Sequence, residues 1–345
     1  MNILYGIQGT GHGHISRARE VLPELQKHAV VDVMVSGHNN QLSIKEDIKY
    51  QKYGISLSYD NNGGIAVLDT LRDFRPIRFL SDVQSVFVTD YDLVISDYEP
   101  VSAWAAKLED VPSIGLSHQA SFLSALTPRP PQKSLVAEVL FKHFSPVDYP
   151  IGFHFLQYDH FIEPPIIRSA IREVEQCAGN HVTVYLPAYH HKVLQEIFAP
   201  FTMVDWHIFS PYCEQYHRKG STEVHPISHQ QFLDSFASCR GVICNAGFET
   251  CSEAMYLGKK LLAVPIRNQY EQECNVAALK SIGVETVETL NNCEKELKQW
   301  LDQKKLLRLD AIADPKMIVE EIIKQADALT TKQSQNRSRS GLRLF

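Results

Sequence analysis

The chain has 345 residues, 44% of them hydrophobic and 21% charged, with a formal charge of -6 and a pI near 6.2. That length suits two cores better than one. The mildly acidic balance gives no support for general nucleic-acid binding, and no apolar run is long enough to span a bilayer.

In chain order, residues 2–7 form a short apolar strand, followed by the glycine-rich loop Gly9-Thr10-Gly11-His12-Gly13-His14. Residues 15–27 carry apolar residues at helical spacing (Ala18, Val21, Leu22, Leu25), and residues 30–35 are the next strand. This is a β–loop–α–β crossover unit. Residues 55–88 are irregular. Residues 91–97 read as a buried strand ending in Asp97, with a helix over 100–108 and a further strand over 112–116 ending at Ser117-His118-Gln119. Residues 152–162 read as extended. Glu163-Pro164-Pro165 breaks the pattern, and residues 168–176 read as a polar linker helix.

The second half restarts the alternation. Strands are expected at 181–186, 205–209 (ending at Ser210) and 224–227, with helices at 190–198 and 229–237. Residues 241–275 then give strand, glycine turn, helix, strand and polar loop. Val284 and Val287 mark a minor strand, and charged helices follow at about 292–303 and 315–328. The Ser-, Gln- and Arg-rich tail from 330 to 345 reads as disordered. The fold class is therefore α/β: two Rossmann-like domains with parallel sheets facing across a cleft, bounded at 1–163 and 164–329.

The seven cysteines show no C-x-x-C spacing and read as reduced thiols. The chain opens directly in a strand, so a cytoplasmic location without a signal peptide is expected.

The glycine loop does not fit a dinucleotide site. That fingerprint needs G-x-G-x-x-G and a carboxylate about 20 positions later. Here His14 stands at the last glycine position, and the second strand ends in Ser36-Gly37-His38. A tight strand-to-helix turn is the plain alternative. The functional reading makes His14 a general base, because imidazole titrates near neutrality. Asp97, ending a strand of the same sheet, is its candidate orienting partner; a helix N-cap ahead of Pro100 competes for that carboxylate. His12-x-His14 and His190-His191 lack further ligands at metal spacing, so no metal or cofactor is expected. Asp90-Tyr91-Asp92 precedes its strand and reads as a loop entering the sheet.

The stretch Asn245-Ala246-Gly247-Phe248-Glu249-Thr250-x-x-Glu253, then Gly258, Pro265, and Gln269-x-Glu271-Gln272-x-x-Asn275, resembles the donor-binding signature of GT-B glycosyltransferases. Gly9-x-Gly11-x-Gly13-His14-x-x-Arg17 resembles the same family, in the branch with the lipid-II-forming N-acetylglucosaminyltransferase and the UDP-glycosyltransferases. The resemblance implies a donor diphosphate cradled at Gly247, Phe248, Glu249 and Thr250, beside Gly13 and Ser210. It implies a ribose on Glu253, a base read near Ile227, and a sugar at Glu271 and Gln272. It makes His14 the base and Asp97 its partner. His12 is an extra residue relative to the usual spacing, which leaves open which histidine faces the cleft. His12, Glu99 and His118 are placed on the acceptor side.

The expected activity is an inverting, metal-independent transfer from a nucleoside diphosphate sugar, a UDP-sugar by the branch resembled, to a hydroxyl on a glycan or lipid. A nucleotide-sugar 2-epimerase and a non-catalytic nucleotide-sugar-binding protein are the alternatives. Residues 122–147 mix apolar and basic groups. They read either as core plus loop, or as a surface for peripheral contact with the inner face of a membrane and its lipid acceptor.

Overall fold

The computed structural model describes residues 1–37, 47–55, 75–177, 179–304 and 306–341, without the side chains of His12 and of 336–341. The first sheet contains β1 (Asn2–Gln8), β2 (Val30–Ser36), β3 (Ile48–Lys52), β4 (Leu93–Asp97), β5 (Ser113–Ser117), β6 (Tyr149–Phe153) and β7 (Ile162–Glu163). Its order is β3-β2-β1-β4-β5-β6-β7, all parallel. The second contains β8 (His181–Tyr185), β9 (Asp205–Ser210), β10 (His217–Lys219), β11 (Thr222–Pro226), β12 (Gly241–Asn245), β13 (Lys260–Val264) and β14 (Glu285–Thr286). Its order is β10-β11-β9-β8-β12-β13-β14, parallel except for the β10–β11 hairpin.

The helices are α1 (His12–Leu25), α2 (Pro76–Gln84), α3 (Pro100–Leu108), α4 (Leu135–His143), α5 (Ser169–Arg172), α6 (His191–Phe198), α7 (His229–Ser238), α8 (Phe248–Tyr256), α9 (Tyr270–Ser281), α10 (Glu294–Asp302) and α11 (Pro315–Gly341). β4, β5, β12 and β13 are buried along their whole length. Parallel strands covered by helices on both faces have to be apolar throughout, which is why these runs stood out in the sequence.

Several expectations change. The first helix begins at His12, so His14 lies in its first turn. The 152–162 stretch is the end of β6, a loop over 154–161 and the start of β7, which pairs in parallel with β6 through Gly152–Ile162 and Phe153–Glu163. The linker helix is a single turn, α5. Helix α2 and strand β10 were not anticipated, and part of the irregular 55–88 stretch lies outside the described residues.

The carboxyl-terminal end departs most. Helix α11 runs on to Gly341, where a disordered tail was expected. It also packs against α1 and β5 rather than staying with the second domain. Ile318, Val319, Ile322 and Ala326 are buried in the same cluster as Ala18, Leu22 and Leu25. Ile318, Val319 and Ile322 together contribute roughly 4.5–9 kcal/mol before entropy is charged. Residues 315–329 therefore cover a face of the first domain, although they follow the second domain in the chain.

Candidate active site

Strand β1 ends beside β4, with Ile7 paired to Asp97. The chain then turns through Gly11, at φ 105, into α1. That conformation favours glycine, and it sets the first turn of α1 over the carboxyl end of β4. His14 and Arg17 are three apart and share a helix face. Both reach Asp97. His14 Nδ1 is 2.7 Å from Asp97 Oδ1, while Arg17 donates from Nε to Oδ2 and from Nη2 to Oδ1, each at 2.9 Å. All three side chains are buried, Asp97 completely.

Burial alone would push the Asp97 carboxyl up. The Arg17 guanidinium and His14 outweigh it and hold the group below its usual range. Burial works against the Arg17 charge as well, and Asp97 more than restores it. An ionised Asp97 only accepts, so the His14 ring places its proton on Nδ1 and leaves Nε2 with the free lone pair.

The capping alternative for Asp97 falls to Glu99. Its carboxylate accepts from the Val101 and Ser102 amides at 2.8 and 2.6 Å and from Ser36 Oγ at 2.6 Å. Burial raises the pKa of Glu99 despite these bonds. It is wholly buried, so Glu99 is a cap of α3 rather than an acceptor-side residue. His12 contributes backbone to α1; its side chain lies outside the described residues.

Opposite stands the start of α8. Its N-cap is Gly247, which brings no side-chain cap to the first-turn amides. Among the described residues, no atom lies within 4 Å of the place a Cβ on Gly247 would occupy. Glu249 and Thr250 are half-buried in that first turn. The Glu249 carboxylate crosses to the first domain: its Oε1 is 3.4 Å from Arg17 Nη1 and 2.4 Å from where a Cβ on Gly13 would be. Gly13 thus admits Glu249.

Phe248 points away from the helix end. Its ring is buried and stacks on His118 at 4.1 Å and 2°, with Phe155 at 5.2 Å. Only its backbone is available to a ligand at the turn.

His118 is likewise spent on the domain interface. Its Nδ1 lies 2.8 Å from the Phe153 carbonyl and its Nε2 2.9 Å from Asn275 Oδ1. Gln119 donates to Glu271 Oε2 at 3.0 Å. Gln272 accepts from the Ile266 amide at 2.9 Å, bracing the loop after β13. His118 is therefore a buried interdomain tie rather than an open acceptor-side group.

Glu253 is buried and forked by Arg168, with Nε to Oε1 at 2.5 Å and Nη2 to Oε2 at 2.7 Å. Burial pushes the Glu253 carboxyl up, and Arg168 opposes that shift. Ser210 is buried at the end of β9, accepting from the Tyr212 amide at 3.2 Å, while Ile227 is exposed after β11.

Arg17, Gln119 and Arg168 were given no site role from the sequence. The i, i+3 spacing of His14 and Arg17 could have found the first; nothing local marks the other two. A cavity of about 380 Å³ opens between α4 and the start of α9, lined in part by Tyr98, Lys133, Ala137, Phe141, Tyr270 and Glu271. Leu135, Val136 and Val139 are exposed on α4 beside it. Among the described residues, no helix is long and apolar enough to cross a membrane.

Comparison with known proteins fits this geometry. An uncharacterised glycosyltransferase of Methanosarcina acetivorans is 24% identical over 325 residues, covering 82% of each chain. Acinetobacter baumannii MurG superposes with a TM-score of 0.60 at 14% identity, over 94% of this chain and 99% of that one. The Streptomyces sp. SF2575 glycosyltransferase SsfS6, solved with thymidine diphosphate, superposes at 0.56 and 13% identity over 97% and 99%. Residues 1–303 match the model of glycosyl transferase family 1, so the chain belongs to that family and is a glycosyltransferase of the GT-B fold.

Proposed function

We propose that the chain catalyses an inverting, metal-independent transfer of a sugar from a nucleoside diphosphate sugar, with uridine as the nucleoside, to a hydroxyl on a glycan or lipid. One observation carries this reading: the buried His14–Asp97–Arg17 group stands across the cleft from the uncapped first turn of α8. A base and an anion site then flank the place where a glycosidic bond would change hands.

In this mechanism the acceptor hydroxyl gives its proton to His14 Nε2. Its oxygen attacks the anomeric carbon from the face opposite the diphosphate. The bond from that carbon to the phosphate oxygen breaks, and the electron pair leaves with the nucleoside diphosphate. Asp97 stabilises the imidazolium that forms. The α8 amides at Phe248–Thr250 take up the developing negative charge. The space over Gly247 supports a diphosphate there, Glu253 serves the ribose once Arg168 yields it, and Glu271 faces the sugar. The acceptor enters by the α4–α9 cavity, whose exposed apolar rim suits a lipid.

The test is release of nucleoside diphosphate from a panel of donors, with and without glycan and lipid acceptors. His14→Ala is expected to lower turnover by at least about 100-fold while donor still binds. Near-normal turnover in that variant rules His14 out as the base. Conversion of UDP-N-acetylglucosamine to its manno isomer without acceptor would favour the epimerase instead.

A further inference from the structure

Strands β9 and β11 are parallel neighbours, with His207 paired to Glu223 and Phe209 to His225. Side chains two apart on a strand share a face, so His207, Glu223 and His225 emerge together on one side of the sheet. Trp206 and Val224 occupy the opposite face, in the second domain's core. Glu223 Oε2 lies 3.8 Å from His207 Nε2 and 3.4 Å from His225 Nε2. The ligating atoms all fall within 4.8 Å of one another. Tetrahedral zinc bonds of about 2.0–2.1 Å place neighbouring ligand atoms about 3.3–3.5 Å apart. One separation is already there, and the others need closure of an ångström or so.

The surroundings behave as an outer shell. His207 Nδ1 is 3.2 Å from Ser235 Oγ on α7, which orients the ring and leaves Nε2 for a ligand. Arg218 donates to Glu223 Oε1 at 3.0 Å, leaving Oε2 turned to the histidines. Its charge is shared with Asp205, also at 3.0 Å, so the local balance stays negative. His225 Nε2 is buried, with no hydrogen-bond partner. An orphaned ring nitrogen beside a carboxylate oxygen is costly unless something occupies the gap.

We propose that His207, Glu223 and His225 form a binding site for a zinc-class divalent cation that ties β9, β11 and α7 together. Two imidazoles and a carboxylate suit a borderline-soft cation better than magnesium. The site lies mid-strand on the sheet's face rather than at its carboxyl edge, so its role is to hold the donor domain together rather than to meet substrate.

The test uses the full chain, stripped with a chelator and titrated with zinc, with magnesium as the control. The expected result is about one zinc per chain retained through gel filtration. The melting temperature should rise with zinc and not with magnesium. His225→Ala and Glu223→Gln should each weaken zinc binding by at least about 10-fold, the lower range for a lost ligand-shell group. His190→Ala, outside the cluster, should leave it unchanged. Absence of zinc binding by the wild type, or an unchanged stoichiometry and affinity in His225→Ala, overturns the proposal. If a variant fails to fold, the zinc X-ray absorption spectrum of the wild type decides. A nitrogen and oxygen shell containing imidazole supports the site, and a sulfur shell from the free cysteines overturns it.

Discussion

Replacing Arg17 by Met removes the guanidinium from Asp97, and with it the cation over the Phe153 ring at 5.4 Å, while an apolar side chain of similar length still fills the site. Asp97 is then a wholly buried carboxylate whose remaining partner in the group is His14. Removing one member of a buried pair costs about 3–5 kcal/mol, because the other charge is left uncompensated. For a chain of 345 residues that is a drop of about 4–7 °C in melting temperature. Asp97→Asn should cost a similar amount, since it strands Arg17. The double variant, Arg17→Met with Asp97→Asn, leaves neither charge behind. Its loss should fall short of the sum of the single losses by at least about 1 kcal/mol.

Turnover should separate from stability. Without a carboxylate on Nδ1, the double variant stays roughly 100-fold or more below wild type even where it is folded. Acidification checks the same group. The folded pKa of Asp97 is depressed, so its contribution is present above the unfolded value of about 3.9 and is lost as pH falls through the lower folded value. Wild-type stability should show that loss on acidification, and Asp97→Asn should lack its share. Unfolding curves by urea and heat give the cycle. Single losses that add to within about 0.5 kcal/mol would refute the coupling and with it the triad.

Other outcomes follow from the same geometry. Gly247→Ala places its methyl in open space at an ordinary φ of -72, so the stability cost should be limited to the poorer N-cap, about 1 kcal/mol or less. Nucleotide affinity should nevertheless fall; calorimetry showing wild-type affinity would remove the diphosphate from that turn. Glu253→Ala should weaken nucleotide binding by about 10–100-fold, the value of hydrogen bonds to a charged group. Arg168→Gln, which releases Glu253, should tighten it, and unchanged affinity in Glu253→Ala would exclude the ribose role. Finally, Leu135→Asp with Val139→Asp should abolish co-sedimentation with anionic vesicles if α4 receives a lipid acceptor. Wild-type protein that stays in the supernatant with every vesicle leaves α4 as an ordinary surface helix.

Legibility in the sequence tracked locality. The central strands and the helices after the glycine turns were readable because burial on both faces forces long apolar runs. His14 and Asp97 were readable as strand-end and helix-start residues. Glu99 was not, because Asp97 and Glu99 both precede Pro100 and either could cap; only the fold shows which carboxylate turns back to the amides. Arg168 and Glu253 are 85 residues apart, so no periodicity joins them. The tail misled for a different reason. Its polar side chains bond back onto the helix, Thr330 Oγ1 to the Ala326 carbonyl and Thr331 Oγ1 to that of Asp327, at 2.9 and 2.8 Å. Composition alone does not distinguish such a helix from a solvated coil.

The placement of the donor-signature residues carries a further consequence. Glu249 reaches Arg17, Glu271 takes Gln119, Asn275 takes His118, and Phe248 stacks on His118. Each of these contacts joins the two domains. On the proposed reading, the residues that close the cleft are the residues that would meet the donor. Opening therefore exposes the Phe248 ring and breaks these three polar contacts together with that of Tyr270 to Glu138, at a cost of roughly 3.5–7 kcal/mol, taking about 1.5–3 for the ring and 0.5–1 for each contact. Donor binding can offset that cost only by supplying equivalent partners. A diphosphate at the α8 amides does so without touching the Phe248 stack, because it needs the backbone of that residue and not its ring. A sugar at Glu271 has to compete with Gln119. On the proposed reading, the second-domain turn would read the donor's charge with the cleft closed, while recognition of the sugar would require the interdomain tie to loosen.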